Sequence, residues 1–185
     1  MTARAACALG THAPEAAGTP LRLLLDTNVW VDYFLARGQR GRDAAALVTA
    51  SYGRDDVALY VSALSVKDVY YLLQAALKAQ LRAEGREVTP SDAAAAREVA
   101  WGCVRRVLEL ALVVGTTRTE VLRAVSYRRL HDDLEDDLLL SAATTCDADY
   151  VVTSDEALGR HVAGSTLIPA EAAGLVAGCE GQGGA

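Results

Sequence analysis

Acidic side chains stand at several places in this sequence where they could do chemistry together. Asp26 follows directly on the apolar run Leu21–Leu25, and Ser154 and Asp155 follow a second apolar run, Tyr150–Thr153. Short apolar runs bounded by turn residues are typical of strands buried on both faces. In open α/β sheets, ligands bind at the carboxyl ends of such strands. Asp26 and Asp155 are therefore candidates for one site.

A third group of acids lies in the stretch His131–Thr145, which reads HDDLEDDLLLSAATT. The acids are Asp132, Asp133, Glu135, Asp136 and Asp137. They pass directly into the apolar sequence LLLSAA, which predicts a buried helix with the acids in its first turn. We expect Asp133 to cap this helix and Asp136 to face the site. Asp137 remains an alternative, because a residue three or four positions from Asp133 can share its face.

Each acid also has a purely structural explanation. Asp26 or Thr27 can cap the helix that follows. Asp68 lies in a helix predicted over Ser62–Leu81, where Ser65 stands three residues earlier and fits a capping box. A run of acids is often only a solvated helix start. A catalytic role for these acids requires that the fold bring their side chains close together.

Carboxylates that crowd together repel one another unless a cation neutralises them. Oxygen ligands without cysteine or histidine companions suit Mg²⁺ or Mn²⁺. Such ions activate water and stabilise the leaving oxygen in phosphodiester cleavage. The three histidines, His12, His131 and His161, are scattered, and this chemistry needs no side-chain nucleophile.

Composition sets bounds on the class of protein. The 185 residues are 51% hydrophobic and 23% charged, which fits one globular domain. The net charge of -6 argues against a surface devoted entirely to nucleic acid. The four cysteines show no zinc-binding spacing. No long apolar run follows a basic start and no run approaches about 20 residues, so we expect neither a secretory signal nor a membrane-spanning helix. We therefore expect a cytoplasmic protein with reduced thiols.

Predicted strands alternate with predicted helices along the chain. This order predicts a three-layer α/β/α sandwich with a mainly parallel central sheet of about five strands. We expect a flexible N-terminal extension over 1–20, the domain over 21–175 and a flexible C-terminal tail over 176–185. The predicted strands are Leu21–Leu25, Val57–Ser62, Leu110–Val114, Tyr150–Thr153 and Thr166–Ile168.

Four stretches together resemble the PIN domain, in particular its VapC-like branch of metal-dependent ribonucleases. They are LLLDTNVWVDYFL at Leu23–Leu35, VSALSVKDVYYLL at Val61–Leu73, DLEDDLLLSAATTCDADYVVTSD at Asp133–Asp155, and IPA near Pro169. Each piece alone is a weak signal, but their combination in this order is specific.

The resemblance implies roles for individual residues. Asp26, Asp136 and Asp155 match the family's metal-binding acids, and Asp68 stands where the family usually has glutamate. These four are the expected catalytic residues, with Mg²⁺ or Mn²⁺ as cofactor. Asn28, Thr153, Ser154 and Asp137 are expected to support the ligands or metal-bound waters.

The resemblance also implies a substrate and partners. The expected activity is endonucleolytic cleavage of RNA. Arg128 and Arg129 are expected to contact the RNA, with Arg37, Arg40 and Arg42 as an alternative group, because the guanidinium fork binds two phosphate oxygens. Many proteins of this branch are toxins neutralised by a small antitoxin, and many form homodimers.

Three other interpretations of the sequence remain as alternatives to a ribonuclease. A dehalogenase-like phosphatase needs a second aspartate two residues after the first, where this chain has Asn28. A phosphoacceptor receiver domain needs a lysine after a late strand, and none follows Tyr150–Thr153. A PIN-like domain that has lost catalysis would serve only to bind RNA or protein.

Overall fold

A five-stranded sheet forms the centre of the molecule. The computed structural model describes residues 19–128, 132–162 and 164–179. The strands are β1 (Leu21–Leu25), β2 (Val57–Ser62), β3 (Leu112–Val114), β4 (Tyr150–Val152) and β5 (Thr166–Leu167). Their order is β3-β2-β1-β4-β5, and every pairing is parallel.

Helices connect the strands and cover the sheet. They are α1 (Thr27–Leu35), α2 (Gly38–Ser51), α3 (Ala63–Ala83), α4 (Pro90–Leu110), α5 (Arg118–Tyr127), α6 (Leu134–Thr145), α7 (Glu156–His161) and α8 (Pro169–Gly178). Within the described ranges, none of them is long and apolar enough to span a membrane.

Successive residues of β1 supply two separate cores. Leu23 and Leu25 pack with residues of α1, α2, α3, α4 and α8, whereas Leu24 packs with residues of α6 and α7. Because alternate side chains of a strand point to opposite faces, β1 is buried on both sides. The predicted three-layer sandwich is confirmed, and the described sheet is parallel throughout.

The strand order creates a switch point between β1 and β4. The chain moves from β1 outward to β2 and β3, and then returns to the other side of β1 with β4. Connections at such a point diverge and leave a crevice at the carboxyl ends of the strands. Leu25 pairs with Val152, so Asp26 and Thr153 emerge side by side.

Several predicted boundaries were wrong for local reasons. The α3 cap is Ser62, whose hydroxyl accepts the Ser65 N–H at 2.9 Å, so the capping box between Ser65 and Asp68 is not formed. Thr89 caps α4 and forms a capping box with Asp92. Helix α4 continues to Leu110, which delays β3 until Leu112.

Helix α8 was absent from the predicted elements. Pro169 occupies its first turn, where the missing N–H costs nothing, and Ala172 and Val176 are fully buried. The helix packs against α2 and ends at Gly178. Its small residues show little hydrophobic periodicity, which is why the sequence does not predict it. The helix is stabilised mainly by packing against α2.

A hydrogen-bonded clamp joins α5 to α6. The Glu120 carboxylate accepts bonds from the N–H and hydroxyl of Thr117 and, at 3.0 Å, from the Thr145 hydroxyl. The Arg123 guanidinium donates to the Ser141 carbonyl at 2.9 Å. Because α6 begins among the acids at the carboxyl edge of the sheet, this clamp also fixes where those acids lie.

The clamp is expected to stabilise the fold by an amount that depends on pH. The bonds from Thr117 lower the pKa of Glu120 to about 2, from an ordinary value of 4.5. A carboxyl whose folded pKa is depressed stabilises the fold fully above its unfolded pKa, and this contribution disappears as the pH falls toward the folded value. We expect Glu120→Gln to lower the urea unfolding midpoint at pH 7, and its deficit relative to the wild type to shrink between pH 4.5 and about 2.

The control is Glu98→Gln, which removes a charge from an exposed position of α4. A deficit in Glu120→Gln that stays constant with pH would show that the loss does not come from the charge of Glu120.

Candidate functional site

Asp26 combines the roles of helix cap and site residue. It follows β1 directly, and its Oδ1 accepts the Thr27 N–H at 2.6 Å as the N-cap of α1. Its own N–H donates to the Val152 carbonyl at 2.9 Å, which continues the pairing between β1 and β4. The side chain is thereby held over the switch point, with Oδ2 turned toward β4.

Hydrogen bonds tie Asp26 to the end of β4. Its Oδ2 accepts the Thr153 hydroxyl at 2.7 Å and the Asn28 amide at 2.5 Å. The Thr153 Oγ1 accepts the Asn28 amide and the Asp155 N–H, both at 3.0 Å. The Asn28 Oδ1 accepts the Ser154 N–H at 3.0 Å. We call Asp26, Asn28, Thr153 and the Ser154 and Asp155 amides the strand-end network.

The electrostatic setting of Asp26 is unfavourable to its charge. Burial raises the pKa of Asp26 above its ordinary value of 3.8, and the hydrogen bonds from Thr153 and Thr27 oppose this shift. The negative charges of Glu135 and Asp155 raise it further. A bound cation would relieve both the repulsion and the lost hydration.

Two adjoining cavities open beside Asp26. One has a volume of about 300 Å³ and the other about 330 Å³, and both are lined by Asp26, Thr27, Glu135 and Asp136. The first also reaches Asp68, and the second also reaches Asn28 and Asp155. We call the joined cavities the acidic cleft. All four acids expected at the site line it.

The acids reach the acidic cleft from four different elements. Asp155 is exposed and caps α7, because its Oδ1 accepts the Ala157 N–H at 2.6 Å. Asp68, in the second turn of α3, is half-buried and lies 2.9 Å from the Lys67 ammonium. Asp136 lies in the first turn of α6, which Asp133 caps as expected.

The structure separates Asp136 from Asp137. Asp136 is half-buried and lines both parts of the acidic cleft. Asp137 is only 2% exposed and lines a different cavity, with Asp132, Arg128 and residues of α5. Their side chains leave the helix about 100° apart, as the 3.6-residue period requires. Asp136 is therefore the acid that shares a cavity with Asp26.

The expected substrate-binding arginines lie elsewhere or outside the described residues. Arg128 is exposed, and its Nε lies 3.2 Å from Asp132. It lines the cavity of Asp137 and not the acidic cleft. Arg129 and His131 fall outside the described residues.

The acidic cleft also contains residues that were not expected at the site. Glu135 is exposed at its mouth, and Lys67 lines it on the side of α3. Glu135 belongs to the acidic run, so the signal was present, but the sequence does not tell which acids of a helix start turn inward. By contrast, Arg37 and Arg40 at the start of α2 belong to the alternative group expected to contact RNA, and they line the part of the cleft that also reaches Asp155.

The donor set fits a hard divalent cation by its chemistry. Carboxylate oxygens predominate, and no histidine or cysteine of the described residues lines the acidic cleft. Within the described ranges, no three acidic, histidine or cysteine side chains stand close enough to hold one ion together. The carboxylates share the cleft without being gathered around one point.

Comparison with known proteins agrees with this architecture. The sequence profile of the PIN domain matches residues 22–157, which is most of the chain. The chain belongs to the PIN domain family. The resemblance of the sequence to PIN domains is thus confirmed, and the acidic cleft lies within the matched PIN region. No curated protein sequence matches the chain significantly.

Two solved structures share the fold of this PIN domain. A toxin-antitoxin complex from Klebsiella pneumoniae contains a chain with 17% identity and a TM-score of 0.53, covering 80% of this chain and 97% of that one. VapBC2 from Rickettsia felis, crystallised with a DNA fragment from its promoter, contains a chain with 12% identity and a TM-score of 0.51, covering 80% and 96%. At these identities the likeness concerns the fold.

The strand-end network predicts a change in the titration of Asp26. Thr153→Val keeps the volume of the side chain but removes the hydroxyl that donates to Oδ2. Because that bond stabilises the carboxylate, we expect the pKa of Asp26 to rise above its wild-type value. Carboxyl-carbon NMR titration of the metal-free protein measures this shift.

Thr144→Val is the matched control, since its hydroxyl donates to the Leu140 carbonyl within α6. An unchanged Asp26 titration in Thr153→Val would show that the hydroxyl does not support the charge.

Proposed function

We propose that this PIN domain is a metal-dependent endoribonuclease of the VapC type, acting as the toxin of a toxin-antitoxin pair. One observation supports it most strongly: four carboxylates from separate elements line one cleft at the switch point of the sheet. Gathering repelling charges at a ligand-binding edge costs stability, which a cation offsets when it binds. Membership in the PIN family supports the same reaction class.

The proposed roles follow the position of each acid. Asp26, Asp136 and Asp155 hold Mg²⁺ or Mn²⁺, and Asp68 is a further ligand or orients the attacking water. When bound, such an ion activates water and stabilises the charge that develops in phosphodiester cleavage. Asp68 is suited to an orienting role because it lines the cleft beside Asp26 and Asp136 while its carboxylate lies 2.9 Å from the Lys67 ammonium.

The strand-end network positions the central ligand. The bonds from Asn28 and Thr153 to Oδ2 of Asp26 hold the carboxylate in one orientation. Ser154 contributes its N–H to Asn28, which fixes the amide's oxygen and turns its nitrogen toward Asp26. Asp137, buried next in sequence to Asp136, is proposed to anchor the helix start. Supporting groups of this kind change metal affinity or activity by about 10–100-fold.

The proposed substrate is RNA, and the proposed partner is a small antitoxin protein. The two similar structures come from toxin-antitoxin complexes, which supports a partner of this kind. Homodimer formation and a cytoplasmic location remain part of the proposal. The predicted contacts of Arg128 and Arg129 with RNA stay a prediction.

A binding module without catalysis is the second candidate. The observation that favours it is that no three metal-binding side chains of the described residues surround a common point. A dehalogenase-like phosphatase is disfavoured, because Asn28 is engaged with Asp26 and Ser154 where that chemistry needs an acid.

Cleavage of single-stranded RNA tests the activity directly. We expect cleavage with Mg²⁺ or Mn²⁺ and none with chelator. Asp26→Asn and Asp136→Asn should each lower the rate by more than about a hundredfold, because even groups that only support a ligand contribute about 10–100-fold. Product analysis on denaturing gels measures the rate.

Asp132→Asn is the matched control for cleavage, since Asp132 belongs to the same acidic run but lies outside the acidic cleft. Cleavage that survives in both cleft variants would refute the proposed site. RNA binding without cleavage by the folded wild type would support the binding module.

Metal binding has a readout that does not depend on activity. We expect Mn²⁺ to raise the melting temperature of the wild type, because an ion at about 100 times its dissociation constant stabilises by about 2.7 kcal/mol. For a chain of this size that corresponds to about 2–4 °C per kcal/mol. The shift should be lost in Asp26→Asn and Asp136→Asn and kept in Asp132→Asn, as followed by calorimetry. Equal shifts in all four proteins would place the ion elsewhere.

A further inference from the structure

Two arginines stand on one wall of the acidic cleft. Arg37 precedes α2 as its N-cap, and Arg40 lies in its first turn. Both line the part of the cleft that also contains Asp26, Asp136 and Asp155. Residues three apart at a helix start can present their side chains to the same side. The carboxylates thus share a cavity of about 330 Å³ with a pair of guanidinium groups.

The turn between α1 and α2 fixes where these arginines lie. Ala36 adopts the left-handed conformation with a φ of 48°, which costs energy for a residue with a side chain. A Cβ at Gly41 would lie 2.5 Å from the carbonyl carbon of Ala36 and 2.9 Å from the Asp32 carbonyl oxygen, so only glycine permits this close approach. The turn is therefore tightly specified.

Asp32 holds Arg37 at the cavity. Its side chain is only 7% exposed, it lines the same cavity, and its carboxylate lies 4.0 Å from the Arg37 guanidinium. A nearby cation stabilises a buried carboxylate, so Asp32 favours a position of Arg37 at the cavity wall. The Arg37 side chain nevertheless remains 53% exposed, which leaves donors available to a ligand.

The other cations near the acidic cleft are engaged or point elsewhere. The Lys67 ammonium lies 2.9 Å from Asp68. Arg42 is exposed and donates two hydrogen bonds to Gln39, and it does not line the cleft. Arg128 faces Asp132 at the other cavity. Arg40 forms no ion pair with any of the described residues within 4.0 Å.

We propose that Arg37 and Arg40 bind a backbone phosphate of single-stranded RNA next to the phosphate that is cut. This inference rests on the proposed ribonuclease function and names where its substrate is held. Carboxylates repel the phosphates of RNA, and positive charge at the neighbouring phosphates offsets part of that repulsion. The guanidinium fork supplies that charge together with paired donors for phosphate oxygens. Asp32 is a positioning residue that acts through Arg37.

Binding measurements with a labelled single-stranded RNA of mixed sequence test the proposal. Fluorescence anisotropy is followed over a range of salt concentrations, for the wild type in chelator and for Asp136→Asn in Mg²⁺. Arg37→Gln and Arg40→Gln are each expected to weaken binding by about tenfold, the typical effect of a hydrogen bond to a charged group. Each should also reduce the slope of log affinity against log salt by about 0.7, because one phosphate contact is lost.

Arg42→Gln is the matched control, since it removes the same charge from the same helix outside the cleft. Arg128→Gln is compared as the competing site. The salt slope distinguishes a phosphate contact from a change in fold, and melting curves confirm that each variant is folded. Equal slopes in the wild type, Arg37→Gln and Arg40→Gln would overturn the proposal. Absence of RNA binding by the wild type in chelator and by Asp136→Asn in Mg²⁺ would overturn it as well.

The outcome separates this inference from the proposed function. Metal-dependent cleavage together with unaffected binding in Arg37→Gln and Arg40→Gln would keep the nuclease and reject the phosphate site. Arginine-dependent binding without any cleavage would keep the phosphate site and reject the nuclease.

Discussion

The rest of the site depends on one carboxylate held between two strands. Asp26 lies at the end of the most buried strand, and bonds from Thr153 and Asn28 tie it to the neighbouring strand β4. These bonds stabilise a charge that burial opposes, as the raised pKa of Asp26 shows. The order of the strands places this tie at the switch point, where the diverging connections leave room for a ligand. The hydrogen bonds make Asp26 a rigid anion, and the strand order places it over an open crevice.

The other acids reach the same crevice because separate structural devices position them. Asp133 caps α6 and turns Asp136 toward Asp26, while the clamp of Glu120, Thr145 and Arg123 fixes α6 against α5. Asp155 caps α7 and is bonded through its N–H to Thr153. Capping thus does not compete with a role in the site, because the two oxygens of a carboxylate offer about four acceptor sites and the cap occupies only part of them.

The acidic cleft is asymmetric in charge, and this has consequences for what it can bind. Carboxylates of α6 and the strand ends line both of its parts, whereas Arg37 and Arg40 line only one of them. A small cation is favoured beside the carboxylates, and a phosphate oxygen beside the arginines. The net charge of -6 describes the whole surface and conceals this local arrangement.

The sequence by itself determined the strands, most helices and the acids at their ends, because short apolar runs and capping residues are local signals. It therefore predicted Asp26 and Asp155 at one edge of a parallel sheet. Only the tertiary structure decided that Asp136 and not Asp137 shares the cavity of Asp26, and that Glu135 and Lys67 join it. These meetings depend on strand order and helix packing, which bring together residues far apart in the chain. Helix α8 was missed for the same reason, since its small residues form a buried face only when the helix packs against α2.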